Sequence, residues 1–173
     1  MQTLARAAVT MAALAAMWSW PAAAQTPLKI STPHLDLTTY PSVTTVAPGM
    51  RFSVVVTATP HAHMHVYAPG ASGYKVVGLK VTGTKYIRAL PVRYPKSEIY
   101  EFKPLKEPVP AYQKPFTIVQ QLTVDGTAAT RRALRATKSL TITGRFEYQA
   151  CDDGICYNPT SVPLTWTVGI DER

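Results

Sequence analysis

The sequence predicts an all-β chain built from two packed antiparallel sheets. Three observations carry that expectation. Segments of strand length are rich in β-branched and aromatic residues, 15 prolines and several turn dipeptides punctuate them, and no long helical period competes. Turn signals at this spacing suit a sandwich of immunoglobulin-like type, with a cysteine-bearing hairpin near one end.

Residues 1–24 read as a secretory leader. Arg6 precedes an uncharged apolar run from Ala7 to Trp20, and Pro21-Ala22-Ala23-Ala24 supplies an Ala-x-Ala cut after Ala24. The run is short for a membrane span, and no later stretch approaches the roughly 18–20 apolar residues that a span needs. Export to the periplasm or beyond is the expectation. Removing 24 of the 173 residues leaves 149, enough for one domain over 25–173 with a single core. Arg6 is the one charge in the leader, so the formal charge falls from +8 to +7. A basic surface favours acidic partners or headgroups. Nucleic acid is not expected of an exported chain without a binding motif.

Arg51 to Thr59 is the first clear strand. Phe116 to Val124, Ser139 to Tyr148 and Val162 to Val168 repeat its pattern, and Val76 to Thr82 and Glu98 to Phe102 are weaker copies. Pro48-Gly49, Ser72-Gly73 and Asp125-Gly126 mark turns between them. Arg131, Arg132, Arg135 and Lys138 form the main basic cluster, on a solvated loop or a short helix near Leu134.

Three other stretches bear on chemistry. His61, His63 and His65 alternate, so an extended strand would place their imidazoles on one face, where copper, nickel or zinc could be held. Surface histidines, with a positioning role for His65, are the plainer alternative. Arg93 to Pro115 holds Pro95, Pro104, Pro108, Pro110 and Pro115 among Tyr94, Tyr100, Phe102 and Tyr112. Proline at that density favours loops or edge strands. Its aromatic rings either pack on the sandwich rim or form a cap over the third feature.

That third feature is Glu147 to Pro159, which holds the only cysteines, Cys151 and Cys156. Asp153-Gly154 is a type I′ turn dipeptide, and a hairpin centred on it faces Cys151 with Cys156 as a non-hydrogen-bonded pair, about 4.5 Å between Cα atoms. A disulfide is within reach. A bridge over so short a loop stabilises by only about 2 kcal/mol, which suits a switch better than a staple, although a structural clip remains the alternative. Asp152 and Asp153 disfavour a thiolate beside them, so Cys156 is expected at or above the free value of about 8.5.

Taken together, these stretches resemble the N-terminal periplasmic domain of the thiol:disulfide interchange protein DsbD. Tyr148-Gln149-Ala150-Cys151-Asp152-Asp153-Gly154-Ile155-Cys156, followed by Asn158-Pro159, is similar to the active-site signature of that family. His65-Val66-Tyr67-Ala68-Pro69-Gly70 looks like its early strand motif, and Tyr94-Pro95 with Ser97 to Tyr100 resembles its cap. The resemblance implies a free-standing immunoglobulin-like domain that relays electrons without a separate cofactor. It implies Cys156 as the attacking and Cys151 as the resolving cysteine, with Tyr94, Tyr100, His65, Tyr67 and Tyr148 as cap or positioning residues. Implied partners are thioredoxin-like periplasmic proteins and a membrane electron conduit, in a setting such as cytochrome c biogenesis. Two other classes stay open: a binding module with a structural disulfide, and a metal-handling protein using His61, His63 and His65. Hydrolysis has no triad, phosphate loop or supported carboxylate pair behind it.

Overall fold

The computed structural model describes residues 26–82, 85–102 and 106–171, without the side chain of Phe102. The leader expected over 1–24 lies outside the described residues, as does Pro104 of the proline-rich stretch.

Alternation of apolar and polar residues builds the sandwich. One sheet runs in the order β1 (Leu28–Ser31), β2 (Leu35–Pro41), β4 (Arg51–Pro60), β10 (Phe116–Val124) and β7 (Ile87–Arg93). The second runs β3 (Thr45–Val46), β13 (Thr160–Ile170), β11 (Ser139–Tyr148) and β6 (Gly78–Thr82). Pairing is antiparallel except between β3 and β13. Phe52, Val54, Val56 and Ala58 of β4 and Ile118, Leu122 and Val124 of β10 share a core with Leu140, Ile142 and Phe146 of β11 and Leu164, Trp166 and Val168 of β13. This is an immunoglobulin-like antiparallel β-sandwich. The strands expected at 51–59, 98–102, 116–124, 139–148 and 162–168 are present, with β4 and β13 slightly longer than read.

One bond ties the two layers together, and one glycine tightens the second sheet. Trp166 donates its indole N–H to Thr39 Oγ1 across the sheets at 2.8 Å, and Thr39 in turn donates to the Val55 carbonyl at 2.7 Å. Both polar groups are therefore satisfied inside the core. Gly144 lets β6 and Trp166 close on β11. A Cβ there would lie 2.7 Å from the Lys80 carbonyl oxygen and 3.0 Å from the Trp166 ring.

A third, smaller sheet stands at one end: β12 (Ala150–Cys151), β5 (His65–Tyr67), β9 (Glu107–Tyr112) and β8 (Glu98–Phe102). It is fed by the two long strands, since β4 leads through a turn into β5 and β11 leads through Gln149 into β12. The proline-rich stretch was expected as loops or edge strands, and β8 is an edge. β9 is an interior strand despite Pro108 and Pro110. The Pro110 carbonyl accepts from Ala68, so its nitrogen, and that of Pro108 two residues away, faces the three-residue β5 rather than β8. Few ladder bonds are therefore lost.

The basic cluster lies on and just after α1 (Ala128–Leu134), capped by Thr127, whose hydroxyl accepts from the Thr130 amide. Leu134 buries its side chain in the core beneath the exposed arginines.

Candidate functional site

Cys151 and Cys156 are joined in a disulfide with Cα atoms 4.0 Å apart. Asp152 donates its amide to the Ile155 carbonyl, and Tyr157 donates to that of Ala150. Those bonds flank the cysteines, which are thus the non-hydrogen-bonded pair that the hairpin register predicts. The turn type differs from the expected type I′. Neither Asp153 nor Gly154 has a positive φ. The Asp152 carboxylate supplies the reason, because its Oδ1 accepts from the amides of both Gly154 and Ile155 at 2.8 Å. An Asx-type cap of this kind holds the turn without the left-handed region. The same amides hold the Asp152 carboxyl below its usual value, helped by the Tyr157 hydroxyl at 2.9 Å.

The two sulfurs live in different surroundings. Cys151, paired with His65 between β12 and β5, is fully buried in a cluster with Tyr67 and Val109, against which Ala71, Tyr74, Val76 and Tyr100 pack. Cys156, past the turn, is exposed. Of the cap and rim alternatives for the proline-rich aromatics, Tyr100 takes the cap position on the Cys151 side and leaves Cys156 exposed. Strand geometry decides this, since β12 tucks Cys151 under the small sheet while the turn returns Cys156 on its outer side.

Tyr67 occupies the centre of the site. Its hydroxyl oxygen lies 3.2 Å from Cys151 Sγ and 3.3 Å from Cys156 Sγ. A disulfide carries no S–H, so the phenol is the donor. Burial, and after it the neighbouring Tyr74, pushes the Tyr67 hydroxyl far above its ordinary value. Tyr67 stays protonated. Tyr74 stacks on it at 3.9 Å and donates to Glu107 Oε2 at 3.3 Å.

On the other side Tyr100 lies against His65 at 4.0 Å and donates to Asp153 Oδ1 at 2.8 Å. Burial first, and then that carboxylate, push Tyr100 up to about 12. Burial lowers His65, against the opposing pull of Asp153 and Asp152. The buried imidazole thus favours its neutral form.

Of the five expected cap or positioning residues, Tyr67, His65 and Tyr100 gather at the disulfide. Tyr94 stands elsewhere, near Leu79 and Tyr112, where burial pushes its hydroxyl above the ordinary value. Tyr148 faces the core and shares a 2.8 Å hydrogen bond with Thr32 Oγ1, which roots the hairpin in the sandwich.

The extended strand that would align His61, His63 and His65 does not form. His61 to Met64 is a turn closed by the Met64 amide on the His61 carbonyl at 3.0 Å, with His63 at φ 66°. The chain must bend there to pass from β4 to β5, and the bend scatters the imidazoles. His61 Nδ1 is 3.2 Å from the Pro33 carbonyl and its Nε2 is 3.4 Å from Asp36, while His65 is buried under Tyr100. Among the described residues, no group of three or more His, Cys, Asp or Glu could hold a metal ion.

Several site residues escape sequence reasoning. Tyr74, Glu107, Gln149 and Tyr157 come from three separate segments and meet only in the folded chain. Gln149 accepts from the Lys75 amide at 3.0 Å and donates to the Tyr157 carbonyl at 3.1 Å, tying the Tyr74 loop to the hairpin. Its place inside the Tyr-Gln-Ala-Cys run was the one available signal.

A family model described as "Thiol:disulfide interchange protein DsbD, N-terminal" matches residues 37–164. Among solved structures, the N-terminal periplasmic domain of ScsB from Proteus mirabilis superposes with a TM-score of 0.55 at 10% identity. The alignment covers 79% of this chain and 49% of that one, so the chain spans about half the length of that structure. Identity that low speaks for the fold alone. No curated protein sequence matches the chain. The family match runs over well more than half of the sequence, both cysteines included. The chain therefore belongs to the family of the N-terminal domain of thiol:disulfide interchange protein DsbD, a thiol–disulfide exchange domain.

Proposed function

We propose that this chain is an exported thiol–disulfide exchange protein of the protein-disulfide reductase type, in which Cys156 bonds to partners and Cys151 resolves. The unequal exposure of the two sulfurs carries the reading. A thiolate arriving from solution meets Cys156 Sγ, whereas Cys151 lies under Tyr67, Tyr74 and Val109. Attack joins the partner to Cys156 and leaves the bonding electron pair on Cys151 Sγ. The partner's second thiol then displaces Cys156, so the partner becomes a disulfide and this chain a dithiol. In the second half, the Cys156 thiolate attacks a target disulfide and Cys151 resolves the mixed species. Two electrons pass in each half, and no separate cofactor is needed.

Thioredoxin-like proteins are the partners of choice, with a membrane electron conduit as a further donor. The leader at 1–24, cut after Ala24, and the periplasmic origin of the ScsB domain support a periplasmic setting for the single domain over 25–173. His65, Tyr67 and Tyr100 shape the pocket around the sulfurs, Tyr148 roots the hairpin, and Tyr94 belongs to the rim.

Single cysteine variants test the assignment. Cys151→Ser is expected to accumulate mixed disulfides through Cys156, and Cys156→Ser to form none. Stable adducts through Cys151 would reverse the roles. A wild-type reduction potential well below about −300 mV, with no exchange, would leave a binding module with a structural disulfide instead.

A further inference from the structure

The positive charge of the chain is gathered at the end of the sandwich opposite the disulfide. That end is built from the starts of β4 and β11, the close of β10, and α1. Arg131, Arg132, Arg135 and Lys138 stand exposed on α1 and just after it. Arg51 and Arg88 flank Thr123 in one register row across β4, β10 and β7. Their neighbours Phe52 and Leu122 turn into the core, so both arginines face outward. Lys85 is exposed beside Tyr86, whose carbonyl accepts from the Asp125 amide. Of 15 cations and nine carboxylates among the described residues, this end holds seven and two, Asp125 and Asp171, against eight and seven over the rest. Nearly all of the surplus charge therefore sits at one pole.

We infer that this pole is a contact surface for a bilayer containing anionic phospholipid, which holds the chain with its disulfide turned away from the membrane. The inference goes beyond the exchange reading and does not depend on it. The ion pairs found among the described residues join His61, Lys75, Lys80, Lys114 and Arg145 to Asp36, Glu98 and Glu147, none of them at this pole. Its cations are thus open to headgroups, which attract juxtamembrane Lys and Arg strongly. Long side chains radiating from a helix, a turn and two strands fit a plane of phosphates better than one acidic peptide, which would need them aligned along a groove. Met50 adds an apolar tip. It is 37% exposed on the Pro48-Gly49 turn, where its amide donates to the Ala47 carbonyl and its carbonyl accepts from Val124. An apolar side chain ringed by cations suits the boundary between headgroups and acyl chains.

The orientation follows from the strands. β11 runs from the basic pole to the hairpin over ten residues, about 33 Å at the usual rise per residue. Surface potential falls off within about 10 Å at ordinary salt. Cys156 then stands clear of the bilayer and its field, open to a partner in solution.

The test uses residues 25–173, which carry the whole core without the apolar leader. Sedimentation with phosphatidylcholine vesicles containing phosphatidylglycerol should carry the protein down, pure phosphatidylcholine should not, and raising salt from about 0.05 to 0.5 M should release it. The triple variant Arg131→Gln, Arg132→Gln, Arg135→Gln should weaken binding on the order of a hundredfold, at about fivefold per charge. A second variant, Arg51→Gln with Arg88→Gln, should weaken it without touching α1. Lys96→Gln, Lys106→Gln and Lys114→Gln together, at the disulfide end, should leave it nearly unchanged. Met50→Trp reads the orientation: its emission should shift to the blue on anionic vesicles, while dithiothreitol should open the disulfide equally fast with and without them. Equal binding to neutral vesicles, no binding to anionic ones, or loss of binding in the lysine variant alone would overturn the inference. So would slower opening of the disulfide on vesicles, which would put the other end against the bilayer. Protein that ignores vesicles but is retained by polyglutamate would assign the pole to an acidic protein instead.

Discussion

Gly144 shows how much one side chain can decide. It sits in the middle of β11, after Thr141, Ile142 and Thr143, where glycine has no intrinsic advantage. The gap its missing Cβ leaves is filled by the Lys80 backbone and the Trp166 ring. A methyl group at 2.7 Å from a carbonyl oxygen forces backbone apart, and overpacking of this kind costs about 1–3 kcal/mol. Gly144→Ala is therefore expected to lower the melting temperature by several degrees and to weaken the Trp166 to Thr39 bond. Thermal unfolding followed by indole fluorescence checks it, and a variant as stable as the parent would show that β6 can yield. Asp152 makes the complementary point, since its single carboxylate caps the turn and so presents Cys156 on the outside.

At the level of elements, the loop carrying Tyr74 is tied to the sandwich in part through charge. Glu147 on β11 accepts from Lys75 at 2.7 Å and from Arg145 at 2.6 Å, with Lys80 at 3.5 Å. The Lys75 bond, followed by Arg145 and Lys80, pulls the Glu147 carboxyl from 4.5 down to about 2. A depressed folded value means stability present in full above about pH 4.5 and lost as pH falls toward 2. Solvent screening keeps the effect modest. Comparing wild type with Glu147→Gln between pH 6 and 2, the wild-type advantage in melting temperature is expected to shrink through that window and vanish at its acid end. A constant offset at every pH would show that hydrogen-bond geometry, not charge, holds the loop.

For the whole molecule, the disulfide is a minor part of what keeps the chain folded. The bridge spans a sequence separation of 5, worth about 2 kcal/mol on the chain-entropy account. The core between the sheets is continuous and does not depend on Cys156. The reduced protein is expected to keep its fold, with a melting temperature lowered by only a few degrees for each kcal/mol lost. Circular dichroism with and without reductant reads this directly, and collapse on reduction would make the bridge a staple rather than a switch. A relay that visits the dithiol in every cycle needs that tolerance.

The division between sequence and tertiary structure follows from the range of the interactions. Strand runs such as 51–59, 116–124 and 139–148 were legible because period-two alternation is written into consecutive residues. So was the cysteine register, since a hairpin with a short turn leaves little choice of pairing. The turn type was misread because Asp-Gly has a strong local preference that the Asp152 carboxylate overrides. Between the two readings of the histidines the sequence could not choose, because alternation implies one face only if the chain stays extended, and the passage from β4 to β5 makes it turn. β9 was obscured by prolines whose cost depends on which neighbour their nitrogens face. Which cysteine is buried, that Tyr67 reaches both sulfurs, and that Glu107 reaches Tyr74 depend on residues up to 89 positions apart. Only packing of the third sheet onto the end of the sandwich brings them within hydrogen-bonding distance.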